Sequence, residues 1–465
     1  MDRRKFLLNG GMGVSALVVG SSLPWFKDSE AWAAPLVQSL KFTITDAIKE
    51  MVTHNQINNA HCYYWVFKEE RFPADMPGPI VYTTEGEEIE VTVTNALDEN
   101  HAFFIKNVVN SGPIAPGQTR NFKFMAPTAG TYLYYDNLNE PVNRVMGLHG
   151  ALVVMPKART GKRFTPYSNP TQEVQNLFDD LGTNPLFPGL AWEEGDPATH
   201  TPAFRQHVWL IQGSSPVLFA EVGKFPPGQD FPAERFVQGF HNDPYANTFE
   251  TGVFNRKPHF WTINGQSGFF SHANPYITPN RRIGEPVLIR IIITGLNTHT
   301  LHLHANHYFV TSINNVVRDN IQIVDTHHAD PLQPIDMVIP YVRPPDIPNE
   351  RGIGRADKPL ISVRGRPVWP PVEEMNLFFP GENDEFPVRL SPLFFPMHDH
   401  LEPTQSAQGG NYPLGAVSGM TVTGDRNTPG YMNFPNYPHE FDVGTLEQTG
   451  PAAPLIPHHH KKINS

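Results

Sequence analysis

The sequence predicts an all-β protein of two β-sandwich domains, with a long loop insertion in the second. Three observations lead there. The 465 residues include 36 Gly and 47 Pro, which break the chain too often for long helices. Short apolar and β-branched runs recur between those breaks. A pattern of the first half also returns in the second. Gly86-Glu87-Glu88-Ile89-Glu90-Val91 resembles Gly284-Glu285-Pro286-Val287-Leu288-Ile289, and Gly150-Ala151-Leu152-Val153 resembles Gly419-Met420-Thr421-Val422.

The elements follow in chain order. Residues 1–34 read as a leader. They carry Arg3-Arg4-Lys5-Phe6-Leu7, an apolar run from Met12 to Gly20, and Ala31-Trp32-Ala33 as a cleavage site. The run is shorter than the roughly 20 residues of a spanning helix, so export by the twin-arginine route to the periplasm or the cell exterior is expected, with a soluble mature protein. The first domain covers 38–156. Ile80 to Tyr82, Glu88 to Thr94, Gly130 to Tyr134 and Gly150 to Val154 read as strands, separated by turns such as Ala115-Pro116-Gly117. Residues 157–204 form a linker with one short helix near Gln172 to Leu181. The second domain covers 205–425, with strands at Val208 to Ile211 and Phe260 to Ile263, the latter running into an Asn264-Gly265 turn. Residues 325–390 are Pro-rich and read as looped insertion, and 426–465 as a tail.

Composition narrows the chemistry. A net charge of −11 argues against nucleic acid as the partner. One Cys, Cys62, excludes a disulfide framework and a Cys-rich metal site. No phosphate loop, nucleotide fingerprint or nucleophile–base pair stands out. The 21 His carry the signal. His299-Thr300-Leu301-His302-Leu303-His304 is followed by His307, and Met397-His398-Asp399-His400 comes later in the same domain. On a strand, residues i and i+2 share a face, so each His-x-His pair presents two imidazoles to one point. Two such pairs at the ends of neighbouring strands could enclose a metal, and imidazole suits copper, zinc, iron and nickel. The expected ligands of one or two ions are His302, His304, His398 and His400, with His299 and His307 as further candidates. Asp399 and Glu402 are candidates to pass protons or orient an imidazole. His54, His61, His101 and His149 read as structural, or as completing the site from the first domain. His327-His328 and His458-His459-His460 read as a solvated loop and a tail.

These residues resemble the multicopper oxidases, whose domains are cupredoxin-like Greek-key sandwiches. Pro77-Gly78-Pro79, Pro116-Gly117-Gln118-Thr119, Gly130-Thr131-Tyr132 and Gly147-Leu148-His149-Gly150 match outside the histidine motifs. His299-x-x-His302-x-His304 is similar to the family's third copper motif, and His398-x-His400 to its fourth. The departures are equally specific. The fourth motif has Asp399 where the family has its blue-copper Cys, and Thr404 where it has a further His. His299 and Met420 stand where the other blue-copper ligands would be. The first-domain motifs fall at Phe104, Lys106, Tyr135 and Asn137, so half of the histidines of the family's three-copper cluster are gone. The resemblance implies a redox metalloprotein with a reduced His-ligated copper site, fed directly by a small-molecule or protein electron donor. Its alternatives are copper sequestration or delivery, an envelope-assembly role like that of septal-ring relatives that have lost copper, and an oligomer with the site shared between subunits.

Overall fold

A computed structural model describes residues 38–51, 60–70, 72–157, 165–183, 206–241, 260–274, 276–281, 286–304, 306–340, 362–363, 366–367, 393–401 and 415–422. The leader and the tail lie outside them. The described chain is all-β, with a few short helices. The first half holds β1 (Gln38–Met51), β2 (Ala60–Glu69), β3 (Val81–Thr84), β4 (Glu88–Asn95), β5 (Phe104–Ile105), β6 (Val109–Asn110), β7 (Thr119–Met125), β8 (Gly130–Tyr135) and β9 (His149–Met155). The second holds β10 (Gln206–Ser214), β11 (Phe260–Ile263), β12 (Asn280–Arg281), β13 (Val287–Ile293), β14 (His299–Leu303), β15 (Tyr308–Ile313), β16 (Val316–Val324), β17 (Thr326–Ala329), β18 (Ile335–Ile339), β19 (Ser362–Val363), β20 (Arg366–Pro367), β21 (Leu393–Asp399) and β22 (Val417–Val422).

The halves repeat one topology. The first has sheets ordered β2-β1-β4-β7 and β3-β9-β8-β5-β6. The second has β11-β10-β13-β18, extended by β15-β16, and β12-β22-β21-β14-β17. The strand senses match as well: β1 and β4 are parallel like β10 and β13, and β3 and β9 like β12 and β22. The two recurring sequence patterns are thus β4 with β13, and β9 with β22. The alternation in β4 sends Ile89, Val91 and Val93 into the core and Glu88 and Glu90 to solvent. β13 is buried along its whole length, and it reads as an unbroken apolar run except at Arg290.

The helix expected near 172–181 is present as Gln172–Thr183, packed on β16. Helix Pro216–Gly223 starts at Ser215, whose side chain accepts from the Leu218 N–H. It docks on the first half, where Phe219 meets Tyr64 edge-on at 5.5 Å. Part of the expected looped insertion is corrected: 326–329 and 335–339 are strands. β18 lies between β13 and β15, fully buried. Its apolar run is interrupted by Asp336, which disguises it, and Asp336 is buried because it faces Arg290.

Arg290 joins the halves. It is 0% exposed; its Nη1 lies 3.4 Å from Asp336 Oδ2 and donates to Thr131 Oγ1 at 3.1 Å, and its Nε donates to Gln206 Oε1 at 2.8 Å. Asn315 bonds both backbone groups of Thr131, each at 2.9 Å. Arg144 donates to the carbonyls of Thr294 and Gly295, just ahead of β14. At the β11 turn, Gly265 has φ +72° and rests on residue 76; a Cβ there would stand 2.2 Å from the Met76 carbonyl oxygen.

Candidate metal centre

Strand alternation sorts the histidines of β14 and β21 onto two faces. β14 buries His299, Leu301 and Leu303, while Thr300, His302 and the following His304 point the other way. β21 pairs with it antiparallel, Leu301 opposite Asp399, His302 opposite His398 and Leu303 opposite Met397. Directly opposed residues share a face. Met397 and Asp399 are therefore buried inward, and His398 and His400 face outward beside His302 and His304.

The four outward rings lie together. Centre-to-centre distances are 4.9 Å for His302–His304, 5.6 Å for His302–His398, 4.8 Å for His302–His400, 4.9 Å for His304–His398 and 5.3 Å for His398–His400. The closest nitrogens are His304 Nε2 and His398 Nε2, 2.8 Å apart. His302 Nδ1 contacts Thr326 Oγ1 at 2.8 Å and the Asp325 carbonyl at 3.1 Å, and His398 Nδ1 contacts the Asp399 carbonyl at 3.1 Å. His302 and His398 are half-buried, and His304 and His400 are exposed. Burial, with the neighbouring imidazoles, holds the pKa of His302 and of His304 below the usual 6.5, although the Asp325 carbonyl pulls His302 the other way. Both rings are neutral at pH 7, the form that ligates metals.

The inward face carries a different device. His299 Nδ1 and Asp399 Oδ2 are 2.5 Å apart and both residues are 0% exposed. Asp399 Oδ1 also accepts from the N–H groups of Thr300, at 2.7 Å, and Leu401, at 3.0 Å. Trp261 meets the His299 ring edge-on at 5.6 Å. Two expectations are corrected here. Asp399 lies across the sheet from the four histidines, so its carboxylate does not pass protons among them. His299 is turned inward with it and does not join their cluster. The physical reason is the period of two: a residue between two outward histidines must point in.

The first half repeats this device at matching positions. His101 Nδ1 and Asp136 Oδ2 are 2.7 Å apart, both residues fully buried, with Trp65 edge-on to His101 at 5.3 Å. Asp136 also accepts from Asn143 Nδ2 and from the Leu138 N–H, each at 2.9 Å. Phe104 opposes Tyr135 as His302 opposes His398, their rings 5.3 Å apart. The paired dyads escaped the sequence reading. The signal was available: a His three residues before each outward position, and an Asp at the C-terminal end of each return strand.

The other candidates are placed elsewhere. His149 is buried on β9, its Nδ1 donating to the Arg144 carbonyl at 2.9 Å, and burial lowers its pKa to about 4. His61 is exposed on β2, and His307 is exposed just before β15. His327 and His328 sit on β17, not in a loop, with parallel rings 5.3 Å apart. Met420 is buried on β22 opposite Phe395, and Cys62 is buried on β2. Glu402, His54 and His458 to His460 lie outside the described residues.

The donor set decides which copper chemistry fits. A blue centre does not: its thiolate position holds Asp399, already bonded to His299 and two backbone amides. A centre of nitrogen ligands does. With metal–nitrogen bonds of about 2.0–2.1 Å, ring centres sit roughly 3.2 Å from an ion and about 4.5–5.5 Å from one another. Five of the six pairs among the outward rings stand at about that spacing. Among the described residues no group of three or more His, Cys, Asp or Glu is arranged to hold an ion as it stands.

Comparison with known proteins shows what the chain is similar to. The family model described as multicopper oxidase matches residues 72–159. A laccase of Ustilaginoidea virens is 27% identical over 114 residues, 22% of this chain and 17% of the laccase. A copper-containing nitrite reductase of Alcaligenes xylosoxydans is 28% identical over 137 residues, 27% of this chain and 39% of the reductase. The matched segment thus spans well under half of either relative. A solved multicopper oxidase structure aligns over 88% of this chain and 95% of its own, with TM-score 0.49 and 16% identity. No helix among the described residues is long and apolar enough to cross a membrane. The family match lies in the first half, histidine motifs similar to the family's stand in the second, and the chain resembles the multicopper oxidases in both.

Proposed function

We propose that this is a copper-binding oxidoreductase whose site is the outward cluster of His302, His304, His398 and His400, working without a blue copper. One observation carries the reading: four imidazoles from two directly paired strands gather on one face at ring separations of 4.8–5.6 Å. Imidazole-held copper supplies one-electron chemistry. The chain's own contribution is to fix β14 against β21 through Asp399, to keep His302 and His304 neutral, and to leave the cluster open to solvent. Electrons come directly from a small-molecule or protein donor, because no thiolate relay exists. The same openness favours a second reading, in which the cluster holds copper for transfer rather than turnover. The Arg3-Arg4 leader supports a periplasmic or extracellular site of action.

Metal content by mass spectrometry tests this on protein produced with its leader, beside a His302→Ala/His398→Ala variant. The expected result is about one or two copper ions per chain, lost in the variant, with no intense blue absorption. Zinc in place of copper would move the reading to a structural or hydrolytic centre. Equal metal in both proteins, or none in either, would refute it. Oxidation of small phenols or metal ions by the loaded protein separates turnover from storage.

A further inference from the structure

We propose that Thr326, on the edge strand β17, is the positioning residue of the histidine cluster, which it serves by fixing the direction of the His302 ring. The inference rests on the reading of that cluster as a metal site. β17 pairs with β14 so that Thr326 stands directly opposite His302, on the outward face. Its hydroxyl lies 2.8 Å from His302 Nδ1, and the Asp325 carbonyl lies 3.1 Å from the same nitrogen. A carbonyl oxygen only accepts, so Nδ1 carries the proton and the lone pair is on Nε2. The Asp325 carboxylate is 3.8 Å away, too far for a hydrogen bond.

The opposing ring is set in the same way. His398 Nδ1 faces the Asp399 carbonyl at 3.1 Å, which places its lone pair on Nε2 as well. His304 Nε2, 2.8 Å from that lone pair, must then be a donor. The cluster thus holds His302 with its lone pair on Nε2, and His398 with its Nε2 lone pair accepting from His304. The Asp325 carbonyl sets the His302 tautomer, and Thr326 adds the closer contact that holds the ring's direction. A partner on the far ring nitrogen of a ligating His raises its basicity and stops it turning, and loss of such a partner costs about 10–100-fold in metal affinity. Because the Asp325 carbonyl stays in place, the lower end of that range applies to the loss of the Thr326 hydroxyl.

The test compares Thr326→Val, which keeps the branched shape suited to a strand but removes the hydroxyl, with Thr326→Ser, which keeps the hydroxyl. Copper(II) affinity is measured by chelator competition, and the nitrogen couplings by electron paramagnetic resonance; thermal unfolding of the metal-free proteins controls for folding. Expected are an affinity loss of about tenfold and altered nitrogen couplings in the Val variant, near wild-type values in the Ser variant, and matching unfolding midpoints. If the Val variant binds and resonates like wild type while His302→Ala loses the metal, Thr326 has no positioning role and the four-histidine site stands. If His302→Ala binds copper as wild type does, the site itself is wrong and this inference falls with it. Loss in both Thr326 variants would assign the effect to packing and also overturn it.

Discussion

Alkaline pH should weaken the first half of this protein through one buried histidine. Burial by itself would lower the pKa of His101, but the hydrogen bond to Asp136, the contact with Glu99 and the charges of both carboxylates outweigh it and raise the value from 6.5 to about 9. A group whose pKa is raised by folding stabilises the fold below its unfolded value and loses that contribution as pH climbs through the folded value. The His101 contribution is therefore complete below about pH 6.5 and gone above about pH 9. About 2.5 units at about 1.4 kcal/mol each gives roughly 3 kcal/mol. Asp136→Asn keeps the shape of the partner, removes its charge, and should erase most of that decline. The assay is denaturant unfolding at steps from pH 6 to 9.5, with the His101 ring followed by NMR. If wild type and variant lose stability equally over that window, or if His101 releases its proton near 6.5 in both, the linkage is wrong.

Four further outcomes are expected. His149, lowered to about 4, should produce the opposite slope: stability falls by roughly 3 kcal/mol as pH drops from 6.5 to 4, and His149→Asn, which keeps a donor for the Arg144 carbonyl, should flatten that limb in the same unfolding series. Arg290→Met leaves Asp336 buried and unpaired, which should cost about 3–5 kcal/mol, and a second change, Asp336→Leu, should recover most of it in equilibrium unfolding. Cys62 is buried with a thiol pKa pushed far above its usual range, so thiol reagents should label it only after unfolding, as mass spectrometry of timed reactions would report. Copper affinity should fall as pH drops below 6.5, where His302 and His304 begin to take up protons that compete with the ion, and titrations from pH 5 to 8 would reveal it.

Much of this molecule is legible in its sequence because period-two patterning acts locally. The Glu88/Ile89/Glu90/Val91 alternation sets one strand and its two faces, and the recurrence of its motif in 284–293 announces a duplicated sandwich. The helix at Gln172–Thr183 and the turn after Ile263 are local for the same reason. The His-x-His spacing likewise places four imidazoles on shared faces. What the sequence could not rank was Asp399. An acid between two histidines reads equally as a neighbour of the metal or as a buried partner. The choice depends on which face is solvated and on what waits beneath.

Tertiary pairing made those choices. β18 is a central strand despite its acid, because Arg290 arrives from β13, 46 positions earlier, to balance Asp336. His299 and Asp399, 100 positions apart, form a dyad because β14 pairs with β21 in a register that hides both. His101 and Asp136 do the same in the first half, where Phe104 and Tyr135 fill the outward places. The sequence by itself determined strand period, duplication and the four outward histidines, since these follow from spacing along one chain. Which strands lie side by side, which charges are buried together and which ring nitrogen is held by Thr326 depend on long-range contacts. The free energy of those contacts comes from burial, and no local pattern encodes it.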